Sequence, residues 1–302
     1  MSSDNFPLLV LQPTLDSGQK WAGVRVLGAE TADAATLTRL FDEFGLAQAI
    51  SGLSCLLPPG ALAVLAGAAT PAGLALHTDT GEPPPPPPPH PPGKGPTQAL
   101  LLKILAQTTG DAETREIEAT LKRDPLLSIQ LLRLVNSVAF APTTRISSFA
   151  HAITLLGRRQ LQRWLQLLLY AGQSAGGTNN PLLTSAALRA ALMEGLCKAN
   201  RADKTIQDEA FMVGMFSLLD QLFGKPLREI VAPLNLERNV SEALLERSGT
   251  LGELLALVET AETGPAAIGP ALRRAGISNE AWCKVQVEAL DWTLKISRES
   301  QA

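Results

Sequence analysis

The chain has 302 residues, 45% of them hydrophobic but only 4% aromatic, with a net charge of −3 and a pI near 5.7. That is enough apolar material for one large or two ordinary domains, and with so few aromatics burial must rest on Leu, Ala, Val and Ile, which favours helix packing over a β-sandwich. Residues 1–96 hold eight acids and four bases, and residues 97–302 hold 21 and 22, so neither part has the basic excess of a dedicated phosphate-backbone binder and nucleic acid is disfavoured as a partner.

The first residues carry no basic leader followed by an apolar core, so no signal peptide is expected. Cys55, Cys197 and Cys283 are odd in number, isolated and without metal-ligand spacing, which points to a reducing compartment and a cytoplasmic location. LLVLQP and WAGVRVL read as two short strands around the turn DSGQK, and residues 34–44 read as a helix. ALAVLAG at 61–67 and GLALHT at 73–78 are weaker strand candidates. Residues 44–77 contain no Asp, Glu, Lys or Arg, and a bare hydropathy window would place a membrane span there. Pro58, Pro59 and Pro71 interrupt it and much of its bulk is Ala and Gly, so it is expected to form buried elements of a small α/β unit, with no membrane partner.

The phrase LVLQPTLDSGQKWAGVRVLG resembles the opening of EAL domains, in which a QPI-type strand leads through a turn to the strand carrying the EAL glutamate. Arg25 stands at the place of that metal-binding glutamate. An oxygen-ligand metal site cannot be built around a guanidinium, and the roughly 80 residues before the next boundary are too few for a TIM-type barrel. The resemblance therefore implies a truncated, degenerate EAL-like module over residues 1–80.

That boundary is GEPPPPPPPHPPGKGP, residues 81–96. Consecutive prolines fix φ and remove donors, so the run adopts polyproline II, extends about 3.1 Å per residue and acts as a stiff spacer.

After it the pattern is helical. Helices are expected at 97–108, 113–122, 125–137, 148–155, 158–171, 181–199, 205–220, 226–231, 239–246, 250–261, 270–275 and 279–297. The most specific stretch is 124–157, DPLLSIQLLRLVNSVAFAPTTRISSFAHAITLLG. Asp124 suits a helix cap and Pro125 the first helical position. Leu126, Ile129, Leu132, Leu134 and Val135 recur at helical spacing, Asn136 and Ser137 close that helix, Ser147 and Ser148 cap the next, and Gly157 ends it.

The ordered string DP, LLRLVNS, ISS, AI and LLG resembles the HDOD family of bacterial signalling proteins, through Asp124, Pro125, Arg133, Asn136, Ser137, Ser148 and Gly157. The resemblance extends upstream through REIEATLKRDP and downstream through AFMVGMFSLLD. It implies a compact all-α bundle related to the HD metallophosphohydrolases, generally without their metal ligands. The fold expected is mainly α: an all-α HDOD helical bundle over 97–302 preceded by the small α/β module, an order in which EAL and HDOD domains are known to occur.

HD hydrolysis needs histidines and aspartates around a divalent metal, including an adjacent His and Asp. Of the three histidines, His77 precedes the linker, His90 lies within it and only His151 belongs to the helical part, where it reads as a half-buried helix residue. Against the family's GLLHDIG segment this chain reads GMFSLLDQ, with Ser217 and Leu218 where the His and Asp would be. Asp220 reads as a helix-end residue, and Ser185 and Ser217 have no recognisable base nearby. Arg133, Arg158, Arg159 and Arg163 are candidate anion or partner contacts, although a solvated face is the more ordinary reading. No catalytic residue, metal or cofactor is expected. The resemblance implies a non-enzymatic signal-transduction protein whose partners are other regulatory or signalling proteins. The alternatives are a receptor for a small phosphorylated ligand such as a cyclic dinucleotide and, last, a residual phosphohydrolase.

Overall fold

A computed structural model of the chain describes residues 6–16, 21–66, 74–79, 181–232 and 236–299, with isolated positions 102, 103, 106, 107, 113 and 116. The polyproline run, the helices expected at 125–137, 148–155 and 158–171, and with them the whole 124–157 block, lie outside these residues.

β1 (Val10–Leu15) and β2 (Trp21–Leu27) pair antiparallel, with Val10 opposite Leu27 and Gln12 opposite Arg25. Pro13 is tolerated because β1 is an edge strand of the sheet, whose order is β1-β2-β3-β4. Asp33 accepts a hydrogen bond from the backbone of Thr36 at 2.8 Å and so starts α1 (Ala34–Thr38), which continues as a π-helical turn (Arg39–Glu43) before α2 (Leu46–Ala49). This crossover returns the chain to β3 (Ser54–Leu57), parallel to β2, and α3 (Pro59–Ala66) leads towards β4 (Ala75–Thr78), parallel to β3. The uncharged stretch at 44–77 thus supplies α2, β3, α3 and β4.

One expectation for this region is corrected. ALAVLAG does not form the expected strand: residues 61–66 lie in α3, which Pro59 opens at the first helical position and Ala and Leu propagate. The strand there is SCLL, too short to show an alternation.

The helical part contains α4 (Pro181–Ala199), α5 (Lys204–Phe216), α6 (Leu219–Phe223), α7 (Leu227–Val231), α8 (Arg238–Glu246), α9 (Gly249–Ala261), a 3₁₀ turn (Pro265–Ala267), α10 (Ile268–Arg274) and α11 (Asn279–Glu299). Asp203 caps α5 by accepting from the backbone of Ile206 at 2.9 Å. The single helix expected at 205–220 is broken at Ser217 and Leu218, whose backbone turns away before α6. Helix dominates the described residues beside one small sheet, so the chain is mainly α.

Two apolar clusters hold these elements. One gathers α4, α5 and α8–α10 around Phe211, Phe216, Leu255 and Trp282. The other lies under the sheet: Leu9, Leu11, Val24, Val26, Cys55 and Leu57 meet Leu37, Phe41 and Leu46, and α11 adds Cys283, Val287, Leu290 and Leu294. Among the described residues no helix is long and apolar enough to cross a membrane.

Candidate functional site

The break between α5 and α6 is made by a side chain. Ser217 Oγ donates back to the carbonyl of Gly214 at 2.7 Å, a local bond that competes with helix continuation. The same oxygen accepts from Arg189 Nη1 at 3.0 Å. Arg189 comes from the middle of α4 and is 8% exposed, so its charge must be met inside the protein. Glu262, just past α9, meets it with both oxygens, at 2.6 Å from Nε and 2.7 Å from Nη2. Glu259 lies 3.4 Å from Nη1 and is itself held by Arg247, at 3.0 Å from Nε and 2.9 Å from Nη2. Planar guanidinium against carboxylate is the geometry that makes such pairs strong and directional.

Arg247 closes α8 in the left-handed region, at φ 54°. That conformation costs a β-carbon-bearing residue about 1–3 kcal/mol. The Glu259 pair and the bonds from Nη1 to the carbonyls of Ala243 and Leu244 hold it there.

A second buried arginine lies in the sheet. Val24 and Val26 point into the apolar cluster, so Arg25 between them takes the opposite face. The register puts Gln12, Arg25, Leu56 and His77 in one row across the four strands. Arg25 Nε lies 3.1 Å from Asp79 Oδ1, and the two side chains are 11% and 10% exposed. The two arginine sites adjoin: Gln12, beside Arg25, donates through Nε2 to the backbone carbonyl of Glu262 at 2.7 Å.

These residues do not fit a divalent metal. At the positions where the HD resemblance would put His and Asp, Ser217 already serves a guanidinium and Leu218 has no ligand atom. Arg25, set by the EAL resemblance where a metal-binding glutamate would be expected, brings a positive charge that Asp79 answers. Among the described residues no group of three or more His, Cys, Asp and Glu is arranged to hold a metal ion. The thiols are not poised for chemistry either, since burial pushes Cys55 and Cys283 up to about 12 and Cys197 to about 11.

The HDOD domain model matches residues 97–248. The chain belongs to the HDOD domain family. The HDOD match thus includes α4–α8 and stops short of α9–α11. Two curated relatives are similar to this chain. The uncharacterized protein YuxH of Bacillus subtilis is 29% identical over 180 residues, 59% of this chain and 43% of YuxH. The cyclic di-GMP phosphodiesterase CdgJ of Vibrio cholerae is 34% identical over 146 residues, 48% of this chain and 33% of CdgJ. The HDOD chain therefore spans less than half the length of either relative. A crystal structure from Shewanella amazonensis SB2B, of a protein provisionally named a phosphohydrolase, is 14% identical with a TM-score of 0.44, covering 66% of this chain and 93% of that one.

Of the residues singled out in the sequence, Asp124, Pro125, Arg133, Asn136, Ser137, Ser148, Gly157, Arg158, Arg159 and Arg163 lie outside the described residues, as does His151. Ser185 is exposed on α4, His77 is exposed on β4, and Asp220 sits in the first turn of α6 rather than at the end of a longer helix. Ser217 joins the Arg189 network, and Arg25 pairs with Asp79. Sequence reasoning missed Arg189, Arg247, Glu259 and Glu262. The only signal for Arg189 was an arginine between the Ala- and Leu-rich runs SAAL and AALM of α4, where a buried charge needs a partner.

Proposed function

We propose that this chain is a non-enzymatic, cytoplasmic signal-transduction adaptor that binds other regulatory proteins through its HDOD helical body, with residues 1–80 a reduced EAL-like module. The observation that carries the reading is the hydrogen bond from Arg189 to Ser217, which puts a carboxylate-paired guanidinium where the related hydrolases would need a metal ligand. Arg25 paired with Asp79 supports the same reading for the sheet. A positive charge at either place opposes a divalent cation, whose binding the hydrolytic chemistry requires. What then remains for the helical body is its surface, and packed helices offer faces and grooves to partner helices.

Metal analysis of the purified protein and phosphodiesterase assays on cyclic di-GMP with added manganese test this. Neither stoichiometric metal nor turnover is expected, and the two together would overturn the proposal. The likeness to CdgJ makes a phosphorylated-ligand receptor the reading to set beside it. Calorimetry with cyclic di-GMP is expected to give no heat of binding, and tight binding abolished by Arg133→Ala or Arg158→Ala would favour the receptor.

A further inference from the structure

The last helix lies between the two apolar clusters. On one side of α11, Trp282, Val285 and Ala289 belong to the helical core, and Trp292 packs edge-on against Phe211 with ring centroids 5.6 Å apart. On the other, Cys283, Val287, Leu290 and Leu294 complete the core under the sheet. The alternation is that of a helix buried on two faces.

Between those faces runs a polar ladder that reads main chain. Asn279 Nδ2 donates to the carbonyl of Phe6 at 2.9 Å, and Trp282 Nε1 donates to the carbonyl of Leu9 at 2.9 Å. Gln286 accepts from the backbone N–H of Leu11 at 2.8 Å and donates to the carbonyl of Leu9 at 3.0 Å. Leu11 lies in β1, and Phe6 and Leu9 lie in the segment that leads into it, so the ladder reads the main chain at and just before the edge strand of the sheet. Gln286 is 3% exposed and Trp282 fully buried, so water cannot replace the bonds they make. Neighbouring residues reinforce the seat: Leu8, Val10 and Leu27 pack on the helical core. At the rim Glu280 bridges Arg39 at 2.9 Å and Lys284 at 2.7 Å, while Arg39 lies over Phe6 and Phe44 at 5.2 and 5.4 Å.

We propose that α11 is a coupling clasp that makes the N-terminal sheet and the helical body one cooperative unit. A helix pinned to both cores cannot shift against one without disturbing the other, so a change at the helical surface reaches the row of Gln12, Arg25 and His77 through α11 and β1. A proline-rich segment between two domains suggests independent bodies on a spacer. The clasp gives the opposite behaviour, whatever partner the helical surface binds.

Native-state hydrogen exchange of the full chain in rising denaturant tests it. The slowest amides of β2, at Val24 and Val26, and those of α9, at Leu255 and Val258, are expected to merge into one global opening. In Gln286→Leu, which keeps the volume and loses the ladder bonds, both sets are expected to exchange faster by the same factor, roughly ten- to a hundredfold. The clasp is refuted if the β2 amides merge at a lower opening free energy of their own in the unaltered chain. It is refuted equally if Gln286→Leu speeds exchange in the sheet alone, or nowhere.

Discussion

A guanidinium stays protonated throughout the pH range of folded proteins, so Arg189 and Arg25 are permanent charges whose carboxylate partners decide whether they are tolerable. Each has a carboxylate within ion-pair distance. The titratable residue with a different balance is Glu209 on α5. Burial raises its carboxyl above the ordinary value, a hydrogen bond from Asn239 opposes this, and Glu237 and Asp203 add to the rise. The folded state then holds that proton more tightly than the unfolded chain. Stability falls as pH rises from the ordinary carboxylate range through the folded pKa, and the deficit persists above it. Glu209→Gln, which preserves an acceptor for Asn239, is therefore expected to be more stable than the unaltered chain at pH 7. The advantage should vanish near pH 3, about a unit below the ordinary glutamate value, where the unaltered residue is protonated folded and unfolded. Urea midpoints at the two pH values measure this, and an advantage that persists at low pH would mean that charge is not the cause.

At the scale of elements, the polar site depends on how closely α4 and α5 approach. Gly214 faces Ala190 and Arg189 so closely that a β-carbon there would lie 2.5 Å from Ala190 Cα and 2.7 Å from the Arg189 carbonyl carbon, both main-chain atoms that cannot turn aside. Gly214→Ala must push the helices apart, at about 1–3 kcal/mol for an overpacked core. It should also lengthen the contact between Arg189 and Ser217, one turn beyond. A lowered urea midpoint with unchanged slope is the expected result, and an unchanged midpoint would show that the helices are not in this contact. The helices were legible because each carries its own punctuation: α4 follows Asn-Asn and opens on Pro181, and α5 follows Asp203 as its cap. What was not legible needed contacts far along the chain. SCLL becomes a strand only between partners at 23–25 and 75–78. The partners of Arg189 lie 28, 70 and 73 residues away, and no spacing rule reaches them. The sequence reading set Ser217 against the family's histidine, but its contacts where α5 ends required Gly214 and Arg189 to be seen beside it.

For the whole molecule, the family match and the folded core do not share a boundary. The match ends at residue 248, whereas the helical core draws Leu251, Leu254, Leu255, Leu257, Val258 and Ala261 from α9, and Ile268 and Leu272 from α10. It also needs Trp282, Val285 and Ala289 of α11. A fragment limited to residues 97–248 would turn those contacts out to water. At about 25 cal/mol per Å² of apolar surface, and about 1.5–3 kcal/mol for each large side chain buried, that loss exceeds the net stability of an ordinary domain. It would also remove Glu259 and Glu262, the two carboxylates seen to meet the buried Arg189. The fragment is therefore expected to lack a cooperative unfolding transition and to bind a hydrophobic dye such as ANS, while the full chain unfolds cooperatively and does not bind it. A sharp transition from the fragment would show that the matched segment is self-sufficient. The comparison also decides how partners should be sought: a fragment with an opened core would capture proteins through exposed Leu and Phe, so only capture by the full chain reports on the helical surface proposed to do the binding.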